Sequence, residues 1–327
     1  MIKTKVTEVL GIKYPILGGT MMSISDAEFV AAISNAGGLG ILASAIFKNK
    51  EDFTDAIDKI NLLTGKPFAV NINLFPAMVP IDNNEYLDIM IEKGVKIVET
   101  SGHAAPVELC QRFKDAGMTW IHKCVGIRYA LKAQSLGADI VTVVGYENGG
   151  ATGKLDIGTL VLVPSVVDAL DIPVIGGGGI SDGRGIAAVL SLGAEAAIMG
   201  TALMLTEECP IHDNLKQLLV NASELDTMLV MRSIGATHRV YVNNAAKKCS
   251  EVENNGGGLE DILKVVTGEH TRKMYSDGDT NLGIVSCGQG VGLIHSVPTV
   301  QELFDRIMSQ AEEIFIHRTN GNRQTAI

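Results

Sequence analysis

The sequence predicts a closed (β/α)8 barrel, and three observations carry that prediction. One pattern, a helical segment ending in Gly with a short apolar run just after it, recurs as SNAGGLGIL, EKGVKIVE, KDAGMTWIH, QSLGADIVT and LSLGAEAAI. Its glycines, Gly37, Gly94, Gly117, Gly137 and Gly193, stand where a helix ends in a residue with positive φ, which Gly adopts without a Cβ penalty. The runs that follow are too short and too uniformly apolar for amphipathic helices, and they read as parallel strands buried on both faces. Eight such runs exist, spaced ~20–33 residues apart, which is the count a closed barrel needs. A doubly wound sheet is the alternative, but it usually needs fewer strands.

In chain order the runs are Tyr14–Gly19, Leu39–Ser44, Phe68–Leu74, Lys96–Thr100, Trp120–Val125, Ile140–Gly145, Pro173–Gly178 and Ala196–Thr201. Helical patterns lie between most of them. The first opens with Ser25-Asp26-Ala27-Glu28, a capping box ahead of Phe29, Val30 and Ile33. The rhythm stops after Thr201. Residues 211–279 carry helical stretches at Leu215–Val220 and Leu259–Val266 and a loop at Asn254-Asn255-Gly256-Gly257-Gly258. The chain then returns through Val285–Ile294 to a helix from about Thr299 to Phe315. The expected organisation is a barrel of residues 1–210 and 280–327, with a mostly helical insertion, 211–279, covering the active site.

Composition removes several functions. Lys+Arg number 27 and Asp+Glu 37 in 327 residues, a formal charge of −10, and the pI is near 5.2. Nucleic-acid binding, which needs clustered cations, is not expected. Five cysteines, Cys110, Cys124, Cys209, Cys249 and Cys287, lie far apart with no C-x-x-C, poor material for a disulfide framework or zinc site. Cys110 and Cys124 read as small core residues. The histidines, His103 among them, show no metal-ligand spacing, so no metal is expected. The stretch richest in apolar residues, Leu155–Ile180, is cut by charges, prolines and glycines, and Met1-Ile2-Lys3-Thr4-Lys5 is no signal-peptide core. The expectation is a cytoplasmic protein with a small-molecule substrate and no membrane partner; a homodimer is compatible with this.

In such a barrel chemistry belongs at the C-terminal ends of the strands. Those ends collect Gly18-Gly19-Thr20-Met21, Asn71, Asn73, Ser101-Gly102-His103, His122-Lys123, Tyr146-Glu147-Asn148-Gly149-Gly150, Gly176 to Gly179 and Gly200-Thr201. Glycines after strands seven and eight are where barrels bind phosphate with backbone N–H groups. Four glycines could also make only a flexible turn, but Gly200-Thr201 follows one βα unit later at the spacing a phosphate site needs. No G-K-[ST] follows, so this is not a Walker loop, and no G-x-S-x-G hydrolase elbow occurs. Lys123 could offer a cation to a phosphate or an electron-rich ring, or simply reach solvent. His122 precedes it and points to the opposite strand face, so one of the two is structural.

Taken together, Pro15-Ile16-Leu17-Gly18-Gly19-Thr20-Met21, Asn35-Ala36-Gly37-Gly38-Leu39-Gly40, Gly149-Gly150-x-x-Gly153, Pro173 to Gly179, Met199-Gly200-Thr201 and Cys287 to Gly292 resemble the nitronate monooxygenase (2-nitropropane dioxygenase) family. That family includes FMN-dependent enoyl-acyl-carrier-protein reductases and NADH:quinone reductases. The resemblance implies FMN across the barrel mouth. Gly178, Gly179, Gly200 and Thr201 would hold its phosphate, while Gly19, Thr20 and Met21 would run along the isoalloxazine. Asn71 and Lys123 would reach its polar atoms, and Glu147, Gly149 and Gly150 belong to the same binding set. A flavin independently needs donors for its phosphate and a positive charge for its reduced anion.

One departure matters. Family members that oxidise nitronates carry a histidine in the glycine-rich loop after strand six; here Tyr146-Glu147-Asn148-Gly149-Gly150-Ala151-Thr152-Gly153 places Ala151 there. A methyl group moves no proton, and loss of a general base typically costs ~10²–10⁴ in rate. Hydride transfer from NADH or NADPH through FMN to a quinone or activated alkene needs no base at Ala151. The favoured function is therefore an NAD(P)H-dependent reductase. The alternatives are a nitronate monooxygenase working without that histidine and a catalytically silent flavin-binding protein. Reduction of an alkene needs an acid, for which Tyr146, His122 and solvent are the candidates.

Overall fold

The computed structural model describes residues 2–74, 82–102 and 104–321; His103, named above, lies outside them. Among the described residues eleven strands occur in chain order: β1 (Ile16–Gly18), β2 (Gly40–Ala43), β3 (Phe68–Asn73), β4 (Ile97–Ser101), β5 (Thr119–Cys124), β6 (Ile140–Val144), β7 (Gly150–Ala151), β8 (Val174–Gly177), β9 (Ala196–Met199), β10 (Thr227–Val230) and β11 (His238–Tyr241). Eight pair in parallel in the order β1-β9-β8-β6-β5-β4-β3-β2. Two bonds close the ring, Gly18 N–H to Leu39 O at 2.9 Å and Leu39 N–H to Ile16 O at 3.0 Å. The (β/α)8 barrel is therefore realised with its eight strands where the apolar runs place them.

The glycine rhythm has the cause assigned to it. Gly37, Gly94, Gly117, Gly137 and Gly193 take φ of 102°, 72°, 64°, 93° and 93°. Alternation along each strand then sorts side chains between two cores. Leu17, Ile41, Ile97, Ile121, Ile140, Ile175 and Ile198 fill the barrel interior, joined by Val6 and Leu10 of the helix Lys5–Leu10. Trp120 and Cys124 point the other way, into the layer beneath the helices. The barrel is sealed on the outside by the C-terminal helix Val300–Gly321, which packs on Gly183–Ser191 and Ala27–Asn35.

Two details depart from expectation. Asp26, not Ser25, caps the helix Ala27–Asn35, accepting from Phe29 N at 2.9 Å. Ser25 Oγ instead accepts from Met21 N at 2.9 Å and so holds the loop after β1. Residues 211–279 contain the helices Asp213–Val220, Asn244–Asn254, Leu259–Leu263 and Gly268–Asp277, but also β10 and β11. These form an antiparallel sheet in the order β10-β11-β7, so the segment is stitched to the loop after β6. Val230, Val240, Ala245, Ala246, Cys249, Ile262 and Val266 give it a small core of its own.

Candidate active site

A cleft of about 360 Å³ opens at the C-terminal mouth of the barrel, within the size range of small-molecule and cofactor sites. Of the residues singled out in the sequence, Gly19, Thr20, Met21, Asn71, Lys123, Gly149, Gly150, Ala151, Gly178, Gly179, Gly200 and Thr201 all line it. They come from the ends of β1, β3, β5, β8 and β9 and from β7 with the residue before it. His238 of β11, together with Thr271 and Tyr275 of the helix Gly268–Asp277, also lines it.

The glycines serve different needs. Gly178 has φ 104°, and a Cβ there would lie 2.6 Å from Thr159 Oγ1 and 2.8 Å from Gly145 N. Gly149 packs backbone to backbone, since its Cβ would stand 2.7 Å from Gly288 N. Gly200 is unlike either: a Cβ there would meet only Met21 Sδ, at 4.0 Å. Its bare face is open to the cleft. Beside it Thr201 Oγ1 accepts from Gly288 N at 2.9 Å, which leaves the hydroxyl proton to donate. Asn148 Oδ1, also in the lining, is buried without a hydrogen-bond partner among the described residues.

Below the cleft lies a carboxylate the sequence reading missed. Glu99 of β4 is fully buried. Its Oε2 accepts from Thr20 Oγ1 at 2.5 Å and Asn71 Nδ2 at 2.6 Å, and lies 3.4 Å from Lys123 Nζ. Lys123 is thus no solvent-reaching rim lysine; it is held over the barrel by a buried counter-charge, with N–H groups left over for the cleft. The signal was available, because a carboxylate in the middle of an apolar barrel strand needs a cation.

Three expected residues lie elsewhere. His122 points outward, fully buried, with Nδ1 2.8 Å from Thr100 Oγ1. Burial pushes its pKa down to about 4, so it is a neutral structural group. Tyr146 turns its ring under the Arg239 guanidinium, 4.6 Å from the centroid, and its carbonyl accepts two bonds from that side chain. Neither lines the cleft, so neither is placed to protonate a substrate there. Glu147 is also outside it: its carboxylate accepts from Thr159 N at 3.0 and 3.1 Å and from Thr159 Oγ1 at 2.9 Å, capping the helix Thr159–Val167. Cys124 is core, with burial raising its thiol to about 11.

Comparison with known proteins agrees with this geometry. The nitronate monooxygenase family model matches residues 3–310. The chain belongs to the nitronate monooxygenase family. Among the relatives of this family member is the (3aS,4S,5R,7aS)-5-hydroxy-7a-methyl-1-oxo-octahydro-1H-indene-4-carboxyl-CoA dehydrogenase of Rhodococcus jostii (strain RHA1), 33% identical over 95% of this chain and 96% of that protein. FabK from Thermotoga maritima superposes with a TM-score of 0.88 at 32% identity, covering 98% of this chain and all of that one. Nitroalkane oxidase from Streptomyces ansochromogenes superposes with a TM-score of 0.80 at 25% identity, covering 94% and 98%. The family member is an enzyme, an oxidoreductase of the FMN-dependent type, built on a TIM barrel. No helix among its described residues is long and apolar enough to cross a membrane.

Proposed function

We propose that this chain is an FMN-dependent, NAD(P)H-consuming reductase of a quinone or of an alkene activated by a carbonyl group. Ala151 carries the reading. It lines the cleft, and its methyl stands where nitronate-oxidising members keep a histidine, so the usual base for a neutral nitroalkane is gone while hydride chemistry is untouched. The Rhodococcus relative, named as a dehydrogenase of a carboxyl-CoA compound, supports redox chemistry beside a carbonyl.

The residues present fit FMN. The open face of Gly200, the free Thr201 hydroxyl proton and the positive-φ turn Gly178-Gly179 make a cradle for its phosphate. Gly19, Thr20 and Met21 would border its ring, the loop being held by Ser25. Asn148 Oδ1 is a buried acceptor awaiting a donor. Bound there, FMN supplies a ring that accepts and delivers hydride. Lys123, positioned by Glu99, which Asn71 also bonds, would offer positive charge to that ring. The segment 211–279 covers the cleft and sets access, so a deletion that left substrate preference unchanged would count against that role.

The test is steady-state turnover. NAD(P)H consumption stoichiometric with a quinone or enone supports the reductase. Oxygen uptake with an alkyl nitronate and no NAD(P)H would instead make the chain a nitronate monooxygenase. Bound FMN with neither activity would make it a silent flavin-binding protein.

A further inference from the structure

Reducing an alkene demands a proton at the carbon α to the carbonyl, and the acids expected from sequence, Tyr146 and His122, lie outside the cleft. Three titratable side chains line it among the described residues: Lys123, Tyr275 and His238. Lys123 is the cation beside buried Glu99, and giving up a proton would leave that carboxylate without its counter-charge. Tyr275 is buried, and desolvation raises its pKa, which makes the phenol a poorer acid.

His238 is differently placed. In the antiparallel pair of β11 and β7 it stands directly across from Ala151, so the strand partner of the missing family histidine is itself a histidine. Its Nδ1 lies 2.7 Å from the Ala236 carbonyl oxygen. A carbonyl only accepts, so Nδ1 carries the hydrogen and the lone pair of the neutral ring is on Nε2. Nε2 makes no hydrogen bond among the described residues. The ring is thereby oriented by one nitrogen and left chemically free at the other.

We propose that His238 is the proton-transfer residue of this active site, taking over from β11 the role that Ala151 cannot perform and delivering the proton from Nε2 to the carbon α to the substrate carbonyl. The proposal rests on the reductase reading above. In the reaction, hydride originating in NAD(P)H forms the new C–H bond at the β carbon, and the alkene electron pair moves onto the carbonyl oxygen as an enolate. The α carbon then bonds to the proton on Nε2 of the imidazolium. The N–H electron pair stays on Nε2, leaving a neutral ring still held by Ala236, and water reprotonates it. The sum is alkene, NAD(P)H and H⁺ to saturated product and NAD(P)⁺. Water supplies the proton to the free Nε2 lone pair, and burial, which lowers the His238 pKa, makes the imidazolium so formed readier to release it.

The experiment uses holoenzyme reduced with dithionite, so that it does not depend on NAD(P)H. Wild type and His238→Asn, whose amide keeps a donor for the Ala236 carbonyl, are mixed anaerobically with 2-cyclohexenone and flavin reoxidation is followed. The variant is expected to be slower by ~10²–10⁴-fold, the usual worth of a positioned acid. Equal rates would overturn the proposal. A second readout needs no turnover: ¹⁵N NMR of the His238 imidazole should show the neutral ring protonated at Nδ1 alone, and a neutral ring protonated at Nε2 alone would overturn it. Failure of NADH and NADPH to reduce the wild-type flavin would overturn the nucleotide dependence alone.

Discussion

Gly200→Ala separates binding from folding at the proposed phosphate cradle. Gly200 has φ −115°, so alanine meets no left-handed penalty, and its new methyl has only Met21 Sδ nearby, at 4.0 Å. The fold should tolerate it, and narrowing the unfolded ensemble would add about 0.4–1 kcal/mol of stability. That methyl would occupy the open face presented to the cleft. Losing one charge-assisted hydrogen bond to phosphate costs about 1.5–3 kcal/mol, which is about 10- to 150-fold in Kd. Gly178→Ala is the contrast: φ is 104° and the methyl would press on Thr159 Oγ1 and the Gly145 backbone. It should destabilise the apoprotein by about 1–3 kcal/mol or more. Flavin-fluorescence titration gives Kd, and thermal unfolding of the apoprotein gives stability. An unchanged FMN affinity in Gly200→Ala, with the apoprotein folded, would refute the cradle.

Other consequences follow from the buried charges. Lys123→Met strips Glu99 of its counter-charge and should cost about 3–5 kcal/mol in denaturant unfolding; adding Glu99→Gln should recover most of it, and a double variant no better than the single would contradict the pairing. His122 has a folded pKa of about 4 against an ordinary 6.5, so the unfolded chain binds more protons between those values. Its contribution is complete above pH 6.5 and falls away as pH drops to 4, by about 3 kcal/mol at ~1.4 kcal/mol per pH unit. His122→Leu should flatten that part of the stability–pH curve; an unchanged slope in chemical denaturation would count against a buried neutral imidazole.

The barrel was legible because its rules are local. A helix that ends in a left-handed residue favours glycine there, and five glycines announce five such ends. Each two-sided strand must be apolar, and eight runs are. The glycine-lined half of the cleft was legible for the same reason: backbone that must approach a ligand or another backbone excludes Cβ. What stayed hidden depends on contacts between distant segments. β10 and β11 are four residues each, with no flanking rhythm, and β11 finds β7 only in the folded chain, so nothing near His238 in sequence marks it as the partner of Ala151. Glu147 and Tyr146 share a cleft-bound loop with Asn148 and Gly149, yet a helix N-terminus claims one and Arg239 the other. His122 and Lys123 differ only by strand parity, which separates a core imidazole from a cleft cation.

Flavin reduction by a nicotinamide nucleotide is read out by mixing the purified holoenzyme anaerobically with NADH and with NADPH in a stopped-flow spectrometer. A reductase should show rapid bleaching of the oxidised-flavin band by at least one nucleotide, reversed on adding a quinone or an enone. A flavin that binds but stays oxidised with both nucleotides would contradict it.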